Sequence, residues 1–162
     1  MIFYLDTLTG HGLVAALSSY IPYAPTYWGC PWNNISGINN IANCHGDVGC
    51  LQPLPEEYEL GTRIGDGKFN TDAIIAECAD TTNAASLCRG TGEDWFLPSR
   101  GELNLMYVNL HLNGHGDFEN HSFLSSTEGE LDYHIWIQLF TTGQIVGADK
   151  FVALDFRAAK EF

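Results

Sequence analysis

The stretch Asp94–Tyr107 (Asp-Trp-Phe-Leu-Pro-Ser-Arg-Gly-Glu-Leu-Asn-Leu-Met-Tyr) constrains the fold more than any other part of the chain. It reads as a short buried strand, a Pro-Ser junction and the start of an amphipathic helix. Ser99 and Glu102 have the spacing of a capping box. In that motif the hydroxyl accepts an amide of the first turn, and the carboxylate reaches back to the N–H of the cap. Leu103, Met106, Tyr107 and Leu110 follow at i, i+3, i+4 and i+7, which is one helical face. Pro98 lies just outside the helix, where its missing donor does little harm. Trp95, Pro98, Ser99 and Glu102 are therefore assigned structural roles.

Around this centre the chain alternates strand-like and loop-like runs. Ile2–Leu5 and His11–Leu17 are expected to pair as a hairpin across Asp6–Gly10. Residues 18–37 are irregular and aromatic, with Tyr20, Tyr23, Tyr27, Trp28 and Trp32 among three prolines that exclude regular helix. Such rings either roof a core or stack on sugars. Residues 38–61 carry turn chemistry and acidic side chains and read as an insertion. Asn70 or Thr71 is expected to cap a buried helix through Cys78, and Ala84–Cys88 reads as a second short helix. Three late strands are expected at 122–126, 134–140 and 151–157, with a turn at Thr141–Gln144. In the last of these, Asp155 and Arg157 share a face and are expected to pair.

The chain has 162 residues, 20 acidic against 7 basic side chains and a formal net charge of −13. A phosphate backbone would be repelled, so nucleic acid is excluded as a partner. Sulfated polysaccharides and anionic membranes are disfavoured on the same ground. Neutral sugars, cations and basic partners stay open. No segment is long and apolar enough to cross a bilayer, so membrane insertion is not expected. The N-terminus carries no basic region followed by an apolar run, and the numbering is read as starting after processing or within a longer protein.

The five cysteines contain no Cys-x-x-Cys pair. Two disulfides and one odd thiol are expected, which implies an oxidising compartment. Cys78 and Cys88 flank the turn between the two helices and are expected to pair. Cys44 and Cys50 would close a small loop in the insertion. Five reduced, buried thiols remain the alternative. His111, His115, Asp117, Glu119 and His121 crowd one glycine-rich region, but Gly114 and Gly116 break the spacing a zinc helix needs, so no metal is assigned. Asp117, Glu119 and Glu128 are candidate calcium ligands without the spacing of a calcium loop.

The pattern as a whole resembles a known family. The matching runs are Ile2–Leu5 with Gly12–Ala16, Trp28–Cys30, Gly65–Thr71, Asp94–Leu103, Ser125–Glu128 and the closing Phe156–Phe162. Together these resemble the C-terminal domain of Lcl-type bacterial collagen-like adhesins. Residues 38–61 exceed the family's usual connection, and Lys160 stands where a second closing arginine is expected beside Arg157. The resemblance implies one domain over 1–162 with a C-type-lectin-like α+β fold: a twisted, mostly antiparallel sheet, two or three short helices and long loops. It further implies secretion or cell-surface display, homo-oligomers, and binding of polysaccharide or host-surface glycan. The related formylglycine-generating enzymes need late reactive cysteines, and none follows Cys88, so that activity is not expected. With no Ser-His-Asp arrangement, phosphate loop or nucleotide fingerprint in the sequence, no enzyme activity or catalytic residue is expected. The residues expected to hold ligand are Tyr133, His134, Trp136, Asp149 and Lys150, rings for stacking and polar groups for hydroxyls. The competing reading is a structural subunit of an extracellular filament or appendage.

Overall fold

The computed structural model describes residues 1–17, 26–36, 38, 64–118, 121–129 and 131–162. The expected Cys44–Cys50 bridge and most of the insertion lie outside these residues. The described chain runs β1 (Ile2–Leu5), β2 (Gly12–Ala15), α1 (Asp66–Glu77), α2 (Ala84–Gly90), β3 (Trp95–Phe96), α3 (Arg100–Asn109), β4 (Ser122–Glu128), β5 (His134–Leu139), β6 (Ile145–Asp149) and β7 (Ala159–Glu161). This is an α+β arrangement of three helices and two antiparallel sheets. One sheet has the order β1-β2-β7-β3, and the other is the meander β4-β5-β6.

The first sheet is built by its latest strand. β7 lies between β2 and β3, with Leu13 opposite Glu161 and Phe96 opposite Ala159. The hairpin turn before β2 is closed by Asp6, whose carboxylate accepts from Leu8 N at 2.9 Å and Thr9 Oγ1 at 2.7 Å. These bonds hold the Asp6 carboxyl below its ordinary range.

The junction at α3 has the expected capping box. Ser99 Oγ accepts from Glu102 N at 3.3 Å, and the Glu102 carboxylate accepts from Ser99 N at 2.7 Å. Glu102 also accepts from Gly65 N at 2.8 Å. One buried carboxylate therefore serves the starts of two helices. Gly67 must be glycine here, because a Cβ would meet Glu102 Oε2 at 2.2 Å and Ser99 N at 2.8 Å.

That arrangement corrects the expected start of α1. The helix begins at Asp66 after Gly65 in the left-handed region (φ 97°), not at Asn70 or Thr71. Asn70 and Thr71 are buried inside it. Asn70 Nδ2 donates to Ser126 Oγ at 3.1 Å, and Thr71 Oγ1 accepts from Leu97 N at 2.9 Å. Both side chains tie α1 to its neighbours instead of capping it.

Two apolar clusters fill the interior. Trp28, Ile74, Leu97, Ile135 and Phe156 belong to one, and Phe3, Phe96, Leu103, Met106, Phe123 and Phe140 to the other. Phe96, which ends β3, and Leu97, which follows it, are consecutive and lie in different clusters, so the central stretch joins the two. Trp95 is half-buried against the first, and the buried Pro98 accepts from Ser126 N at 2.7 Å.

Two late elements differ from expectation. Residues 151–157 form no regular strand, only isolated bridges at Leu154 and Asp155. The third strand of the meander is instead β6, which follows the expected turn. With no strand at 155–157, Asp155 pairs with His121. Arg157 is fully buried. It donates to Ala16 O at 3.0 Å and Asp117 O at 3.2 Å, and lies 4.2 Å from the Phe118 ring. Burial lowers its pKa to about 10.

The disulfide differs too. Cys30 pairs with Cys78, at a Cα–Cα distance of 5.2 Å, and not Cys78 with Cys88. Cys78 closes α1 and faces the 26–36 segment, whereas Cys88 is a free thiol sealed in the core. Burial pushes that thiol far above its ordinary range.

Candidate binding platform

Cys30 and Pro31 lead into Trp32, which sits at φ 67°. That region is unfavourable for a bulky side chain and costs about 1–3 kcal/mol, so the surroundings must hold it there. The Trp32 ring is 61% exposed. It leans on Tyr133 at 5.5 Å between centroids and on Phe151 at 5.1 Å, with interplanar angles of 53° and 60°. Phe151 is itself 44% exposed. Rings this close touch one another and leave no gap between them, so the result is a ledge and not a cage. Its rim is polar. His134 lies 4.4 Å from the Tyr133 ring, and its Nε2 is 3.4 Å from Asp149 Oδ1. His134 and Asp149 are register partners on β5 and β6, which fixes their pairing.

Beneath the ledge is a buried ion pair. Lys150 Nζ bonds to Glu128, and both side chains are fully buried. Lys150 Nζ also donates to Asn33 O at 2.6 Å and lies 4.7 Å from the Trp28 ring. Glu128 accepts from Ile35 N at 3.0 Å. Burial pushes Glu128 up and Lys150 down, and their mutual attraction opposes both shifts.

Glu128 ends the Ser-Ser-Thr-Glu run, and each residue of that run has a distinct partner. The β4–β5 register is irregular between Leu124 and Glu128, which frees these groups from the ladder. Ser125 O accepts from Trp28 Nε1 at 2.8 Å, and Ser125 Oγ donates to Trp136 O at 2.7 Å. Ser126 takes the Asn70 bond already described, and Thr127 Oγ1 accepts from Arg100 N at 2.9 Å. The run thus links α1, α3 and the platform segment.

Of the expected ligand residues, Tyr133, His134 and Asp149 come together at the ledge. Trp136 does not: it is 3% exposed and lies under the Arg100 guanidinium, 4.4 Å from its ring centroid. Lys150 is buried and engaged below the ledge, which removes it from direct ligand contact. For Trp136 a period-2 pattern does not reveal the burial, since β5 is covered on both faces. Lys150, just past β6, is covered by the 26–36 segment through Asn33 O. Sequence reasoning missed Phe151 and treated Trp32 only as one of several loop aromatics. The signal available was a Trp directly after Cys-Pro, a segment fixed by a crosslink.

The candidate cation ligands among the described residues do not converge. Asp117 sits at φ 45° with its carbonyl taken by Arg157, Glu128 is in the ion pair, and Glu119 lies outside the described residues. His111 stacks on Tyr107 at 5.4 Å, and His121 pairs with Asp155. Among the described residues no group of three or more His, Cys, Asp or Glu side chains is placed to hold a metal ion.

Apart from the ledge, a groove of about 560 Å³ lies beside the β1–β2 hairpin, lined in part by Tyr4, His11, Lys68, Asp94 and Phe162. Three of its charged side chains are paired: Lys68 lies 3.7 Å from Glu161, and Asp94 accepts from Lys160 at 3.1 Å.

The six described Lys and Arg side chains are all engaged. Arg100, Lys150 and Arg157 are buried, and Lys68, Arg89 and Lys160 pair with Glu161, Asp72 and Asp94. The described surface therefore lacks a cation held ready for phosphate or sulfate. No helix among the described residues is long and apolar enough to cross a membrane. The chain matches no protein-family model and no curated protein.

Proposed function

We propose that this chain is a secreted or cell-surface, adhesin-type binding module of C-type-lectin-like architecture, and that the Trp32–Tyr133–Phe151 ledge takes a neutral carbohydrate. The observation that carries this reading is the exposed aromatic ledge with a polar rim. Ring faces suit the apolar face of a pyranose, and Asp149 and His134 are placed to bond hydroxyls. The acidic surface and engaged cations favour neutral over acidic sugars. The Cys30–Cys78 disulfide suits an oxidising compartment. The resemblance to Lcl-type adhesin domains supports the same reading and adds homo-oligomers and host-surface glycans as expected partners.

The test is a neutral-glycan array probed with wild type and with Trp32→Ala and Tyr133→Ala. Each variant is expected to lose about tenfold in affinity, on the order of 1–1.5 kcal/mol per ring. Unchanged binding by a folded double variant would remove the ledge from the function.

One observation favours the filament-subunit alternative. β1 is an outer strand of its sheet among the described residues, with Ile2 57% and Leu5 50% exposed. An apolar edge of this kind invites strand pairing with a second copy. Light scattering that shows a monomer at high concentration would count against it.

A further inference from the structure

We infer that Lys150 and Glu128 are the positioning residues of the platform: their buried pair holds the Trp32 backbone in its strained conformation and so presents the ring. The claim deepens the binding reading above but stands on geometry of its own. The pair grips the chain on both sides of Asn34. Lys150 Nζ takes the carbonyl of Asn33, directly after Trp32, and Glu128 takes the amide of Ile35. Buried Ile35 and Trp28 flank this grip in the first apolar cluster. Upstream, Cys30 is tied to α1 by its disulfide. Cys30 through Ile35 is thus fixed at both ends, and the one large side chain it turns outward is Trp32.

The electrostatics explain why an ion pair does this rather than a neutral one. A lone buried charge would neutralise itself and lose part of its bonding. Paired, the ammonium keeps donors for Asn33 O and the carboxylate keeps an acceptor for Ile35 N. The same Lys150 also orders the second ring, since its own N–H donates to Tyr133 O at 2.8 Å. Phe151 follows it directly in sequence. One residue therefore sits at the meeting point of all three platform rings without touching ligand.

The distinguishing variant is the double substitution Lys150→Met with Glu128→Leu, which removes both charges together and avoids stranding either one. The readout is the Trp32 indole N–H resonance, assigned by Trp32→Phe, and its quenching by acrylamide. The expected result is a shifted or broadened Trp32 signal and at least twofold faster quenching, with the Trp95 and Trp136 resonances unmoved. An unchanged Trp32 signal in the folded double variant overturns the inference. Should the double variant fail to fold, amide exchange in the wild-type chain decides. The Ile35 N–H must then exchange at least a hundredfold more slowly than that of exposed Asn34, and equal rates would overturn the proposal. Neither readout involves a sugar, so a failed glycan array and a failed positioning claim are separable results.

Discussion

Two buried carboxylates organise this molecule, and they do so under opposite conditions. Glu102 lies at the junction of α1 and α3 and takes N–H groups from Ser99 and Gly65. Glu128 lies under the platform and takes an N–H from Ile35 together with the ammonium of Lys150. Among the described residues Glu102 has no cation paired with it. Burial outweighs its amide bonds and raises its pKa to about 7. Glu128 is also pushed up by burial, but Lys150 pulls it back. Where the chain needs only to start helices, dipoles and amides suffice. Where it must hold a strained backbone outward, it uses a full opposite charge.

The sharpest way to break this comparison is to remove the cation. Lys150→Met should destabilise the fold by about 3–5 kcal/mol, because Glu128 is left buried and alone. Adding Glu128→Leu should recover most of that loss, read as a return of the urea midpoint. If the single variant is as stable as wild type, the two carboxylates are not different in kind.

A second test uses pH. The Glu102 carboxyl has a folded pKa of about 7 against an ordinary value of 4.5, so the folded state binds its proton more tightly. Its contribution to stability is fully present below about 4.5 and is lost as pH rises toward about 7. The expected size is about 2–3 kcal/mol across that window. Glu102→Gln should flatten this part of the stability profile, and a wild-type profile already flat between pH 4.5 and 7 would contradict the assignment. Glu128, with its cation, should contribute far less slope there.

The smallest effect belongs to the local cap. Ser99→Ala removes one acceptor at the start of α3 and should cost about 1 kcal/mol, seen as a modest fall in Tm. A loss several times larger would mean that Ser99 supports the Glu102 geometry as well as the helix.

The same contrast separates what was legible in the sequence from what was not. The α3 junction, the β1–β2 hairpin and the capping box depend on residues within a dozen positions of each other, and their signals survive in the order of the letters. The α1 start was misread because its first amide is satisfied by Glu102, which lies far along the chain. The Cys78 partner was misread because its neighbour in space comes from the aromatic segment and not from the adjacent helix. Tyr133, His134 and Asp149 were readable as a polar and aromatic group on late strands. Trp32 and Phe151 became their companions only through the Lys150–Glu128 grip. The exchange of Trp136 and Lys150 from surface to interior has the same origin. Each is covered by a distant element, α3 for one and the 26–36 segment for the other.

The central position of β7 has a consequence for biosynthesis. The opening hairpin and the Trp95–Phe96 strand have no direct hydrogen bonds to each other and meet only across the three residues Ala159–Glu161. During translation those residues emerge from the ribosome after every other strand of the fold. The first sheet therefore waits, with the β7-facing edges of β2 and β3 unpaired, until synthesis has passed Glu161.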